Sequence, residues 1–319
     1  MQHPDTMRRL ATRATKTLNA CAGAALAIAG LTMAVPSHAQ SLLNGYWNPL
    51  FFEDVDERIP GPDQGDYAGL PVTAAAVSAA RTWDPEELTQ LEIQCRPHPS
   101  IYGFRGVGEL HIWEDLDPYT QKQVGIETWI AWQQQHRYIH MEANPKHPAP
   151  WAPESWQGYS VGHWNAGSLQ VHTDMVRAGW VRRNGLLTDD RATLDERFFR
   201  DGDILTDVMM ISDPNYLEEP LVKSNEFQYV PNGAMDPYPC ASANEIPRAA
   251  GIEPMHLPGR NPMADEWAVR NHVPLKAAEG GPATMYPEFQ ETLKTFPPNP
   301  PLSQIEAAEK KILSGDSPE

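Results

Sequence analysis

Two carboxylates, Glu196 and Asp207, flank the Asp201-Gly202 dipeptide in ATLDERFFRDGDILTDV. Asp-Gly between two alternating runs is the strongest short-range hairpin signal. With Asp201 and Gly202 as the turn, Phe198 lies opposite Leu205, Glu196 opposite Asp207, Leu194 opposite Met209 and Ala192 opposite Ile211. The two acids then face each other across ~5 Å within an apolar stripe. Carboxyl groups so placed do not ionise together easily, and one keeps its proton above the ordinary range. A carboxylic acid protonated near neutral pH is what general acid–base chemistry requires. The other face, with Phe199, Ile204, Val208 and Met210, is also apolar. Which face is buried therefore stays open, as do a solvated rim and neutralisation by an arginine.

Arg137 is a natural partner for either acid. It lies in WIAWQQQHRYIHME, where a loop at Gln134-Gln135 pairs Trp132 with Arg137, Ile130 with Ile139 and Thr128 with Met141. The opposite face carries Trp129 facing His140, and Glu127 facing Glu142. His136 and His140 share that face, but four residues of strand hold them ~13 Å apart, too far to ligate one metal. With no helical HExxH and no close CxxC or HxH, the chain calls for no metal and no cofactor.

A third constellation is GYSVGHWNAGSLQVHTD, residues 158–174. A turn at Ala166-Gly167 pairs Trp164 with Leu169, Gly162 with Val171 and Ser160 with Thr173. His163, His172 and Asp174 gather on the other face, His172 and Asp174 being ~7 Å apart along one strand. They are candidate catalytic residues if that face is the lumen, and a solvated His–Asp contact if it is not. No GxSxG elbow or candidate nucleophilic cysteine accompanies them. Downstream, SDPNYLEEPLV carries a strand-ending Asp213-Pro214 turn and Tyr216, which is placed to fold over a barrel mouth.

The elements that must position these residues are strands. Between residues 101 and 230 the chain is dense in β-branched and aromatic residues, with strand-like runs near 101–106, 109–115, 123–133, 136–143, 158–165, 168–175, 190–200, 203–213 and 220–230. The spacing predicts a mainly β fold, an antiparallel meander closed into a lipocalin-like barrel, with a two-sheet sandwich as the alternative. Residues 40–100 form an irregular N-terminal arm with short helices, the second announced by Asp84, Pro85 and Glu87. Residues 231–319 form a Pro-rich C-terminal arm that ends in a helix announced by Ser303-x-x-Glu306.

The first 39 residues read as an export signal: a basic start (Arg8, Arg9, Arg13, Lys16), a short apolar run, and Ser37-His38-Ala39 as a cleavage site. Cleavage there removes four basic residues and one acidic residue from a chain of formal net charge −17, leaving −20. That charge repels nucleic acid and anionic headgroups, and the apolar run is too short to span a membrane. A periplasmic or secreted protein is expected. Cys95 and Cys240 survive processing; in an oxidising compartment they most simply form one disulfide, worth roughly 3–5 kcal/mol for so long a loop, with two unpaired buried thiols as the alternative.

The run WQGYSVGHWNAGSLQVHTD, followed by WVRRNG, ATLDERFFRDGDILTDV and ISDPNYL, resembles a family of exported bacterial proteins of unknown function. Its members run like GHSIGRWEGDTLVVDT, then a stretch ending ERF, then an acid-Pro with a nearby tyrosine. RPHPSIYGFRG, EANPKHP and GGPATMYPEFQ extend the similarity over most of the mature chain. The resemblance implies export and a β-rich domain, and brings no catalytic residues. Asp207 stands where family members often carry an apolar residue.

Two functions follow from these residues. The first is a binding barrel for a small, largely apolar or aromatic molecule, with Arg137, Trp129, His140, Tyr216 and Trp164 lining the site. The second is a cofactor-free acid–base enzyme, an isomerase, lyase or hydrolase, using Glu196 and Asp207, or His172 and Asp174. A protein-interaction module with docking arms is a third option.

Overall fold

The structure is a computed structural model, and it describes residues 43–51, 58, 61–84, 93–242 and 256–313. The expected signal segment, its cleavage point and the helix at Asp84-Pro85 lie outside the described residues, apart from Asp84 itself. The strands are β1 (Gly45–Leu50), β2 (Leu110–Leu116), β3 (Gln123–Ile130), β4 (Gln135–His140), β5 (Tyr159–Asn165), β6 (Ser168–Asp174), β7 (Gly179–Arg182), β8 (Leu186–Thr188), β9 (Thr193–Asp201), β10 (Ile204–Ser212) and β11 (Leu221–Val230). Nine of them close into a barrel in the order β1-β11-β10-β9-β6-β5-β4-β3-β2, while β7 and β8 form a separate two-stranded ribbon.

The barrel closes because inward residues alternate along each strand. Trp47, Ile112, Ile126, Ile139, Leu169, Val171, Phe198, Leu205 and Phe227 meet in one buried cluster inside it. A second cluster joins Leu194, Met209 and Ile211 from β9 and β10 to Tyr67, Val72 and the helix Ala74–Ala80. That helix starts at Thr73, whose side chain accepts the Ala76 N–H, the usual use of a threonine cap. The C-terminal arm packs onto the N-terminal arm: Asn261 donates to the Arg81 and Trp83 carbonyls, and Arg81 reaches both Asp265 and Glu279.

The barrel differs from the expected meander in definite ways. Its β4–β5 pairing is parallel, limited to Ile139↔Ser160 and His140↔Val161, because residues 141–158 carry the chain back before β5 begins. A parallel pair needs a crossover of a dozen or more residues, and this segment supplies one. Strand β1 lies within the expected N-terminal arm and closes the barrel between β2 and β11. The expected strand at 101–106 is instead a helical turn, Ser100–Gly103, whose Ile101 and Tyr102 are fully buried; a short buried apolar run suits either conformation. The C-terminal helix is already formed at Leu302, so Ser303 lies within its first turn rather than capping it.

Hairpin registers show how far turn chemistry reaches. At Ala166-Gly167 both residues have positive φ, 48° and 83°, and the pairing is the expected one. In the next hairpin only Gly202 has positive φ, 58°, and the turn residues are Gly202 and Asp203. Glycine at the first central position is the type II′ pattern. Asp207 therefore faces Phe198, and Glu196 faces Met209. Between β3 and β4 a 3₁₀ turn over Trp132–Gln134 takes up more chain than a two-residue loop, so Thr128 faces Arg137 and Trp129 faces His136. Both slips are even in number, so every side chain stays on its expected face.

Candidate functional site

Inside the barrel, register brings three expected residues together. Glu196 on β9 lies opposite Val171 on β6, with β6 and β5 between it and Arg137 on β4. The Arg137 guanidinium grips Glu196 with both ends, Nη1 to Oε1 at 2.9 Å and Nη2 to Oε2 at 2.5 Å. Its Nε donates to Ser160 Oγ at 2.9 Å, and Nη2 also donates to Thr173 Oγ1 at 2.6 Å. Both charged side chains are buried, at 3% and 0% exposure. A fork-to-fork arginine–carboxylate pair with its remaining donors satisfied is the form in which charges tolerate burial.

Asp207 is also fully buried, beside this pair. Asn225 Nδ2 donates to its Oδ2 at 3.1 Å, while Oδ1 has no hydrogen-bond partner. Burial, and then the Glu196 charge, push its carboxyl well above the ordinary carboxylate range, against the Asn225 hydrogen bond and the Arg137 and Arg105 guanidiniums. Asp207 thus holds its proton more tightly than an ordinary carboxyl, but at 0–4% exposure neither acid meets solvent. The protein holds these carboxyls for itself rather than presenting them to a ligand.

The proton on Asp207 has a measurable consequence. Between the ordinary carboxylate range and its raised value, the folded state binds one proton more than the unfolded chain, so this group's contribution to stability falls as pH rises. The folding stability of Asp207→Asn should gain on that of the parent by up to about 1.4 kcal/mol per pH unit through that window, and the two should respond alike below pH ~4. Denaturant unfolding of both proteins from pH 4 to pH 8 measures the difference; a difference independent of pH would contradict it.

The outward residues separate. His172 Nδ1 meets Asp195 at 2.8 Å, because β9 places Asp195 directly opposite it. Asp174 instead takes His147 Nε2 at 2.9 Å, from the β4–β5 crossover. The expected His172–Asp174 contact is therefore replaced by two separate pairs, and His163 is exposed nearby. Trp164 points inward at the barrel's edge, its Nε1 donating to Gln123 at 2.9 Å. Tyr216 packs on the second core cluster, after a turn in which Asp213 accepts the Asn215 and Tyr216 N–H groups. Trp129 lies on the outer face, half-buried. The Cys95–Cys240 disulfide is formed.

The chemistry-bearing cavity lies on the outer face, at the parallel seam. Below the two paired positions β4 and β5 diverge, and a cleft of about 440 Å³ opens between them. His136, Tyr138, His140, Trp156 and Tyr159 line it, with Pro97, Gln134 and Gln157. Its rings are already organised. Tyr46, His111, Trp113 and His136 form a stack across the outer sheet, with centroids 4.1, 4.7 and 5.5 Å apart in turn and planes within 5°, 27° and 9°. His136 is its last rung, at the cleft. On the far side His140 lies 4.7 Å from Tyr159 and His147 4.9 Å from the same ring. The Tyr159 hydroxyl is buried without a hydrogen-bond partner.

Carboxylates surround these rings. Glu127 holds His136 at 2.5 Å, Glu142 lies 3.3 Å from His140, and Asp115 accepts the Tyr138 hydroxyl at 3.0 Å. Burial raises both phenols, with Asp115, Glu142 and Glu127 adding to Tyr138, and Glu142 and Asp174 adding to Tyr159. The Pro148 carbonyl and Asp174 raise His147. The chain matches no family model, no curated protein and no solved structure. Among the described residues no group of three or more His, Cys, Asp or Glu is placed to hold a metal ion, and no helix is long and apolar enough to cross a membrane.

Of the residues expected to bind a ligand, His140 alone lines this cleft; Arg137 is consumed in the core. That His136 and His140 share one face was legible, while Tyr138 between them went unremarked. Trp156 and Tyr159 were not linked to it, because only a parallel seam brings them there.

Proposed function

We propose that this chain is an exported, disulfide-braced barrel that binds a small, flat aromatic molecule in the β4–β5 cleft rather than in its lumen. One observation carries the reading: a concave cleft is walled by aromatic and imidazole rings, and one wall residue, Tyr159, has a hydroxyl with no hydrogen-bond partner. Ligand sites of ~300–1,000 Å³ typically combine apolar ring walls with a few convergent polar groups, and an unmet buried donor is costly until a ligand meets it. A planar ring fits as one further rung beyond His136. The disulfide and the strongly acidic chain suit a periplasmic or secreted protein, processed after Ala39, and membership of the exported family it resembles is part of the same proposal. The acid–base alternative is disfavoured at Glu196 and Asp207, whose carboxyls are closed in the core.

Indole serves as a probe. Its saturable binding, followed by NMR, should weaken roughly 2- to 10-fold in His136→Ala, the scale of one lost ring contact. Tyr159→Phe should weaken a hydroxyl-bearing analogue, 5-hydroxyindole, more than indole itself. His172→Ala, on a different strand pair, should leave both affinities unchanged. If the His136 and Tyr159 variants bind as the parent does, the cleft is not the site.

A further inference from the structure

We infer that the β4–β5 cleft selects a cationic aromatic, an aryl-alkyl ammonium, over neutral or anionic aromatics of the same shape. This deepens the proposed cleft reading and rests on it. Four carboxylates, on Asp115, Glu127, Glu142 and Asp174, touch the residues that line the cleft or their immediate neighbours. They are spread around it, on β2, β3, β6 and the start of the crossover, so their fields converge on the space between the strands. The imidazoles of His136, His140 and His147 each lie on one of these acids.

The walls suit a cation as well as the charges do. Tyr138, Tyr159 and Trp156 present aromatic surface, and a ring's electron-rich face attracts a cation within about 6 Å of its centroid. The protein already uses one wall in this way, with the Arg177 guanidinium 4.9 Å over the Trp156 ring. Arg177 is also the positive charge that a second cation must share the site with, so the ammonium belongs on the opposite side, by His140 and Tyr159. There the Tyr159 hydroxyl, which has no hydrogen-bond partner, can accept an ammonium N–H once its ring turns toward the cleft. Burial is the main cause of the raised phenols, and Asp115, Glu142 and Glu127 at Tyr138 and Glu142 and Asp174 at Tyr159 add to it. A chain of net charge −17 adds long-range attraction for cations and repels organic acids.

The test uses three indoles that share a ring and a two-carbon arm: tryptamine (cationic), indole-3-ethanol (neutral) and indole-3-propionate (anionic). Each is titrated into the disulfide-intact protein at pH 8, with the ring resonances of His136, His140 and Tyr159 followed by NMR. Tryptamine should bind roughly tenfold more tightly than indole-3-propionate, with the alcohol between them, and added salt should weaken tryptamine most. The double variant Glu142→Gln/Asp174→Asn should narrow the gap. Equal binding of the three, tighter binding of the acid, or a gap unchanged in the double variant would overturn the charge selection while leaving the cleft as a site. If none of the three shifts the cleft resonances, the cleft reading itself fails and this inference falls with it.

Discussion

Arg137→Met will destabilise the barrel by about 3–5 kcal/mol, because it leaves the Glu196 carboxylate buried with its counter-charge removed. The effect follows from geometry more than from chemistry at a site. Arg137 spends its donors on Glu196, Ser160 and Thr173, thereby tying β4 to β5, β6 and β9 through the interior. Those are the strands beside the weakest barrel joint, the two-position parallel seam. The companion variant separates a structural pair from a catalytic one. Arg137→Met with Glu196→Leu should recover most of the lost stability, since well-packed apolar replacements of a buried ion pair are often neutral or stabilising. Denaturant midpoints of the parent, the single and the double variant measure this. A double variant as unstable as the single one would mean that the uncompensated charge is not what the mutation exposes.

Removing the Cys95–Cys240 disulfide has the next largest expected effect. The bridge joins residues 145 positions apart, and the chain-entropy relation puts its ceiling near 5 kcal/mol for such a loop. We expect Cys95→Ser/Cys240→Ser to lose about 2–5 kcal/mol, within the range seen for native disulfides. The bridge ties the N-terminal arm, just ahead of the helix Ser100–Gly103, to the chain after β11. It therefore restrains both arms that flank the barrel. Comparing unfolding of the oxidised protein with that of the double-serine variant tests this; identical midpoints would mean that the arms' own packing already supplies the restraint.

Much of the barrel was legible because its turns obey local backbone rules. Ala166-Gly167 sets β5 against β6 residue by residue, since both turn positions take positive φ. At Gly202 only one does, so the turn moves along by one residue and the pairing by two positions. Faces survived that error because a strand's side chains repeat every second residue. Arg137, Glu196 and Asp207 accordingly keep the faces that the sequence pairs them on, but two apolar faces on the same hairpin left open which one is buried, and neutralisation by an arginine stood beside catalysis as an alternative. Strand β1 escaped notice because GYWNPL reads as part of a Pro-rich arm, and its partners lie far away in sequence. The run at 101–106 misled because an apolar stretch after Pro99 is equally at home in a buried helical turn.

The candidate site was less legible, for a physical reason. A hairpin announces itself in its turn, but a parallel pair carries no local mark. The crossover 141–158 reads as an irregular proline-rich loop, and nothing in EANPKHPAPWAPESWQG says that β5 returns beside β4 in the same direction. Without that seam, Trp156 and Tyr159 belong to one hairpin while His136, Tyr138 and His140 belong to another. The acid–base pair drew attention because its members are close in sequence and opposite in register. The cleft draws together residues that only the closed barrel makes neighbours.

The most direct measurement is a map of where an aromatic probe sits. Indole titrated into protein labelled at isoleucine and leucine methyls and at aromatic ring positions distinguishes cleft from lumen in one experiment. The rings of His136, Tyr138, His140, Trp156 and Tyr159 should shift together and saturate, with magnetisation transfer to the indole, while the methyls of Ile126, Ile139 and Leu169 inside the barrel stay in place. Saturable shifts and transfer at those interior methyls, with the cleft rings unmoved, would contradict the account and return the site to the lumen.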